Sequence, residues 1–372
     1  DGITEQIITS LSKIHGLFVI SRTSTFSYKN KPIKIQQVAE ELGVNYVLEG
    51  SVQQSGDKLR ITAQLIDALT GRHIWAERYE RNYENLFALQ DEITLRILNE
   101  LQVKLTEGER IRSTAYSKAT NLEAFEKAME ALSYIRKVNP KSNAIARRLA
   151  EESIKLDPNY SISYYVLATV YMMDVWLGIS KSPKKSLEQS VELLQRSIAI
   201  DENSDVSYSL LCHVYAMRRQ FEKSLATGQK AIEINPNSDI AYVFLAMTLR
   251  WVGRPEEAIK LHKKAMRLCP FPPSYYYQHL GSAYLAADRC EEAIEQYKKA
   301  LNVAPKSFFA FQGLSVCYGL LGREDESKSA AEKMMEINSN YTIKIFNKTT
   351  PYKDRNFVAR LANVLQKAGV PD

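Results

Sequence analysis

Residues able to do chemistry are few in this 372-residue chain, and their spacing argues against catalysis. A phosphate loop needs glycines that let backbone N–H groups close around phosphate oxygens, and no GxxxxGK[ST] run occurs. HExxH and GxSxG, the spacings for zinc hydrolysis and serine acylation, are also missing. The five histidines are scattered. His213 and His279 fall on helical stretches and His262 stands in an aromatic slot, so a packed neutral ring is the expected state. Cys212, Cys269, Cys290 and Cys317 form neither a CxxC pair nor a close framework, and reduced structural thiols are expected. The pairs Glu256-Glu257 and Glu291-Glu292 open helices, where negative charge is favoured near the N-terminus. No catalytic residue, metal ligand or cofactor is expected.

Basic pairs Lys263-Lys264 and Lys298-Lys299 recur at matching places and suggest a nucleic-acid stripe. They lie on outward helices, however, and Glu295 precedes Lys299 by four residues, the spacing of a solvated ion pair. A charged solvent face without nucleic acid is the better reading. The formal charge is +6, with 45% hydrophobic and 25% charged residues, as in an ordinary globular protein. Residues 1–100 carry 11 Lys/Arg against 13 Asp/Glu, so the excess basicity belongs to the later, helical part. No run reaches the roughly 18 apolar residues of a membrane span, and a cytoplasmic location is expected, or a periplasmic one if a span lies upstream.

What must position these residues is a repeat. Pro236 and Pro270 are 34 apart and Pro305 follows by 35. The cleanest copy reads Tyr277-x2-Leu280-Gly281-x2-Tyr284, Ala293-x3-Tyr297-x2-Ala300, then Pro305. Its neighbours read Tyr242, Leu245, Ala246, Leu249, Ala258, His262, Ala265, Pro270 and Phe311, Leu314, Ser315, Tyr318, Ser327, Ala331, Met334, Ser339. Small residues at places 8, 20 and 27 allow two helices to approach, large ones fill gaps between hairpins, and proline ends the second helix. The pattern resembles the tetratricopeptide repeat, and six helical hairpins are expected over residues 121–340. The unit beginning near Tyr164 is about ten residues too long, so a longer first helix and enlarged loop are expected within residues 172–189.

The front is different. "ITEQIITSLSKI" has helical spacing, "GLFVISRT" reads as a buried strand, and "IQQVAEELG" is a short helix closed by Gly43. Residues 46–81 read as strand, turn, strand, turn, strand, and residues 86–105 as an amphipathic helix. The fold class expected is mostly α, with a small α/β domain before an α-solenoid. Its boundaries are 1–106, a linker at 107–120, repeats at 121–340 and a capping segment at 341–372. So small a mixed sheet would be better covered by one more strand before Asp1.

"DGITEQ", "FVISRTSTFSYK", "VAEELGVNYVLEGSV", "LRITAQLIDALTGRHIWAERY" and "LFALQDEIT" resemble the TolB-amino-terminal-like domain that precedes tetratricopeptide repeats in bacterial class III adenylate/guanylate cyclase fusion proteins. "PYKDRNFVARLANVLQKAGVPD" is similar to their closing segment. The resemblance implies a carboxy-terminal regulatory portion whose upstream output domain is a cyclase. Related modules follow winged-helix transcription regulators. No segment here resembles the cyclase domain itself, whose chemistry needs carboxylates holding two metals around a nucleotide triphosphate.

Places 2, 5, 9, 12 and 13 of each first helix would line the concave groove. They supply Tyr165, Met172, Val206, His213, Met217, Val243, Met247, Arg250, Trp251, Tyr275, Gln278 and Phe309, apolar and aromatic with Arg250 as the strong cation. The Lys and Asn of a carboxylate clamp are lacking. The groove is expected to take a hydrophobic helix or extended segment of a protein or peptide partner; its alternative occupant is the chain's own front domain or carboxy-terminal segment. An edge at residues 59–66 or 74–79 could accept a partner strand, and a homodimer is compatible with the sequence. The expected function is a non-catalytic interaction and regulatory region of a multidomain cyclase; the other reading is a scaffold or the sensor half of a transcription regulator.

Overall fold

The structure, a computed structural model, describes residues 2–15, 17–82, 86–101 and 120–372. The expected linker, apart from Thr120, and residues 102–105 of the expected helix lie outside the described residues. The chain divides into two compact units. The first is residues 1–208 with 231–238 and 268–270, and the second is residues 209–230, 239–267 and 271–372.

The first unit opens with α1 (Gly2–Ser12), α2 (Arg22–Thr25) and α3 (Ile35–Leu42). Gly43 ends α3 at φ 63°, a left-handed cap that glycine adopts without a Cβ penalty. Strands β1 (Tyr46–Ser55), β2 (Lys58–Asp67) and β3 (Arg72–Asn82) follow in the order β1-β2-β3, each pair antiparallel. The β2–β3 turn is held by the Asp67 carboxylate, which accepts from the N–H groups of Leu69 and Thr70 at 3.0 Å each. Alternate residues of β2, Leu59, Ile61, Ala63 and Leu65, are buried and join Trp75 and Tyr79 of β3 in one core. Helix α4 (Leu86–Glu100) adds Leu89, Ile93 and Ile97 to that core.

Two strand expectations need correction. Of the strand expected over residues 16–23, residues 17–21 form none and Arg22 and Thr23 already belong to α2; backbone groups of this stretch are satisfied elsewhere. Ser21 N–H donates to the Leu268 carbonyl at 2.8 Å, and the Leu17 carbonyl accepts from Asn237 at 3.0 Å. The sheet of the described residues is wholly antiparallel rather than mixed. Because β2 is its centre, residues 59–66 have no free edge, and the outer strands are β1 and β3.

Six helical hairpins follow among the described residues: α5 (Leu122–Ile135) with α6 (Pro140–Leu156), α7 (Ser161–Trp176) with α8 (Pro183–Ile200), α9 (Asp205–Met217) with α10 (Phe221–Ile234), α11 (Asp239–Trp251) with α12 (Pro255–Leu268), α13 (Ser274–Ala286) with α14 (Cys290–Val303), and α15 (Phe308–Leu320) with α16 (Glu324–Ile337). Helices α17 (Ile343–Thr349) and α18 (Arg355–Lys367) close the chain. Starts are marked locally: Asn121 and Asn139 cap α5 and α6 through their side chains, and Pro140, Pro183 and Pro255 occupy first turns. The long repeat is as expected, with α7 at 16 residues where α9 and α11 have 13.

The small places do more than leave room. Ser190, Ser224 and Ser327 each donate a buried hydroxyl hydrogen across their hairpin, to the carbonyls of Ala168, Cys212 and Ser315 at 3.0, 2.7 and 2.8 Å. At Gly281 and Gly313 the buried Tyr297 ring packs directly on backbone; a Cβ at Gly313 would overlap the ring. Such close approach specifies which hairpin neighbours which.

Candidate functional site

The residues facing the expected groove are gathered on the first helices of the hairpins. In each unit, other segments of the chain cover part of them.

In the first unit the cover is α1 and the extended residues after it. Glu5, Gln6 and Thr9 of α1 face Met129, Leu132, Ile162, Tyr165, Thr169 and Val206 around a residual cavity of ≈ 180 Å³. Polar contacts fix the position of this segment. Glu5 pairs with Arg136 at 2.6 Å and with Arg22 at 3.0 Å. Lys13, 1% exposed, donates to the Asn203 carbonyl at 2.9 Å and lies 3.9 Å from Asp205. Asn237 donates to the carbonyls of Ser12 at 2.9 Å and Leu17 at 3.0 Å, and Asn235 bridges Ser12 and Asp205. Burial raises the carboxyl groups of Asp205 and Asp201 above the usual range, and the Lys13 charge opposes that rise.

In the second unit the cover is residues 341–372. Lys353 N–H donates to the Trp251 carbonyl at 2.8 Å. Arg219 donates to the Thr350 carbonyl at 3.1 Å, and Arg355 donates to Asn347 and Thr350 carbonyls at 2.7 and 3.1 Å. Tyr341 stacks edge-on with Phe308 at 4.7 Å and accepts from Gln312 at 2.8 Å. Arg360 pairs with Asp288. A Cβ at Gly319 would meet Val364 of α18, so the closing helix also sits directly on α15.

The sequence-predicted groove residues therefore have unequal fates. Met172, His213, Val243, Met247, Arg250, Trp251 and Gln278 are buried, Tyr165, Val206, Met217 and Tyr275 are half-buried, and Phe309 is 64% exposed. The seven buried side chains offer no free surface while these segments are seated. The spacing placed them on one face of their helices, but the partner for that face is far away in sequence. What spacing alone left unspecified was Lys13, Asn235 and Asn237: each is an ordinary polar residue until α1 arrives beside it.

Three of the five histidines lie in the second unit. His213 stacks on Phe244 at 4.5 Å and His262 on His279 at 6.3 Å. Burial pushes His213 and His262 down to about 3, with the Arg250 charge adding to the fall at His262, and His279 is held well below the ordinary value by the same causes. Neutral packed rings result. None of the four cysteines is in a disulfide and all are buried, and burial pushes Cys212 up to about 11. Among the described residues no group of three or more His, Cys, Asp or Glu comes together as a metal site, and no helix is long and apolar enough to cross a membrane.

The acidic pairs at second-helix starts are committed to arginines. Glu257 pairs with Arg254 at 2.7 Å, Glu292 with Arg289 and Glu326 with Arg323, while Glu256 and Glu291 reach Arg289 and Arg323 of the next repeat. Lys299 pairs with Glu295 at 2.6 Å, as expected of a solvated face.

A tetratricopeptide repeat family model matches residues 237–306, and a model for the second domain of HilA/YgeH-like transcriptional regulators matches residues 1–96. Over 174 residues the chain is 46% identical to putative adenylate cyclase 3 of Rhizobium meliloti (strain 1021); the match spans 47% of this chain and 30% of that relative. The chain thus covers less than a third of that relative's length. Among solved structures, the APC/C hetero-tetramer Cut9-Hcn1 is similar at 13% identity with a TM-score of 0.52, over 76% of this chain and 52% of that one. PilW, a type IV pilus biogenesis factor, aligns at 17% identity with a TM-score of 0.47, over 60% of this chain and 97% of that one. The fold is therefore mostly α, tetratricopeptide hairpins with a small three-stranded sheet in front.

Proposed function

We propose that this chain is a non-catalytic interaction and regulatory region of a multidomain nucleotide cyclase, binding a protein or peptide partner through the face of its repeats. The observation that carries the reading is the 46% identity to a putative adenylate cyclase over a stretch that is 30% of that relative, which leaves most of the relative's length for other domains. Tetratricopeptide hairpins are built to present an extended face to other chains, which supports an interaction role. The resemblance of the front unit to a TolB-amino-terminal-like domain fits the same arrangement. Partner binding on this reading is an exchange: a partner replaces part of the covering segments α1 or residues 341–372, and the freed segment reports the event to the output domain.

The match of residues 1–96 to a transcription regulator's second domain favours a second reading, in which the output domain binds DNA. Cyclase assays with ATP and with GTP separate the two, comparing the native full-length polypeptide with a version ending before Asp1. Activity in both, differing in rate or in response to cell extract, is expected. No activity in either folded protein would remove the cyclase reading, and equal activity insensitive to extract would remove regulation by this chain.

A further inference from the structure

In the second unit the Arg250 side chain is largely buried and forms no ion pair with a carboxylate among the described residues. The residue is 6% exposed, its Nε meets no hydrogen-bond acceptor among the described residues, and its contacts are with the faces of Trp251 at 5.6 Å and Tyr352 at 5.4 Å. Its charge acts on His262 of α12, His279 of α13, Tyr297 of α14 and Tyr352 of the covering segment. His262 is 1% exposed, and neither of its ring nitrogens has a partner among the described residues. Burying a cation's N–H without an acceptor is unfavourable, and an anion at this place would relieve that cost.

The place is already shaped for a peptide. The end of α17 and residues 350–353 lie over it, held through main-chain groups: Lys353 N–H donates to the Trp251 carbonyl and the Thr350 carbonyl accepts from Arg219. The side chain this segment sets over the guanidinium is a tyrosine ring. Its nearest acid in sequence, Asp354, is occupied in capping α18 through the N–H groups of Asn356 and Phe357.

We propose that Arg250 anchors a carboxylate from an acidic peptide segment of a protein partner, which seats where residues 348–353 now lie. This names the partner chemistry for the interaction reading above and rests on it. The covering segment is then a weak internal stand-in: it supplies the backbone contacts and the ring, and a partner with an acid at the place of Tyr352 adds the missing charge.

The test uses the full chain carrying Tyr352→Ala, which uncovers the guanidinium, with Trp75→Phe and Trp176→Phe leaving Trp251 as the fluorescent reporter. Two nine-residue peptides copying residues 347–355 are titrated, one with the Tyr352→Glu change and one native, and inorganic phosphate is titrated separately. The acidic peptide should give a saturable signal at least tenfold tighter than the native copy, and Arg250→Met should abolish the difference while Arg250→Lys keeps part of it. Equal affinity of the two peptides, or indifference to Arg250→Met, would overturn the proposal. Phosphate that saturates the same signal as tightly would also overturn it, making the site one for a free anion. Because the peptide comparison needs no Arg250 variant, it stands even if that variant unfolds. A cyclase that ignores this region while the peptide result holds would sink the regulatory reading alone.

Discussion

Lowering the pH from 7.5 to 5 should destabilise the second unit steeply, and His262→Phe should remove a defined share of the loss. In the folded chain His213 and His262 titrate near 3, against an ordinary value of 6.5 that the unfolded chain recovers. The folded value is the depressed one, so between about 3 and 6.5 the unfolded chain binds more protons. Stability is then complete above 6.5 and falls as pH drops through this window. At pH 5 each ring lies 1.5 units below its unfolded value, worth about 2 kcal/mol at 1.36 kcal/mol per unit, or about 4 kcal/mol for the two. That is a large part of the roughly 5–15 kcal/mol typical of a domain. His279 adds in the same direction. Phenylalanine suits the His262 slot, because Tyr297 fills the same place in the next repeat. Urea titrations of wild type and His262→Phe at pH 7.5 and 5, read through Trp251 with Trp75 and Trp176 replaced by Phe, give the double difference. Raised carboxyls such as Asp201 and Asp205 act with the opposite sign and cancel in that difference. The variant should lose about 2 kcal/mol less than wild type. Equal losses would mean that the His262 ring is reached by water or protons in the folded chain, and the reasoning from burial would fail.

Other outcomes follow from single contacts. Gly313→Ala should lower the melting temperature by several degrees, since a Cβ there overlaps the Tyr297 ring, against which a Cβ at Gly281 would also crowd at 3.0–3.1 Å; overpacking of this kind costs about 1–3 kcal/mol. An unchanged melt would show that the ring can move. Asn237→Ala strands the carbonyls of Ser12 and Leu17, at about 1–3 kcal/mol for each buried group left unsatisfied, and hydrogen exchange over residues 2–21 should speed up more than elsewhere. Uniform exchange would deny Asn237 its role in seating α1. Cys212, buried and pushed up to about 11, should resist alkylation at pH 8 until the chain unfolds, and mass spectrometry after a timed iodoacetamide pulse reads this directly.

Much of the architecture was legible because repeats write their packing rules into fixed places. The 34-residue spacing located six hairpins, and Ser224 and Ser327 fill small places as the pattern requires, while their hydroxyl bonds to the facing helix were not implied by it. The β2 and β3 strands and Gly43 were equally readable, since alternation and a left-handed cap are local properties. The strand expected over residues 16–23 was misread because an apolar, β-branched run favours extended backbone without saying what that backbone pairs with. Which groups satisfy its backbone depends on what stands beside it, here Asn237 and Leu268.

The same division holds for the candidate site. Helical spacing by itself determined that His213, Val243, Met247, Arg250 and Trp251 share a face, and that this face is apolar with one cation. Only the tertiary structure decided whether the face meets water, because its cover comes from distant segments: Lys13 reaches Asn203 across 190 positions, and Lys353 reaches Trp251 across 102. Periodicity is set by bond geometry within a helix, whereas burial is set by which remote surface competes best for it. An arginine at place 12 is therefore visible in the sequence, and that it pairs with no carboxylate among the described residues is visible only in the tertiary structure.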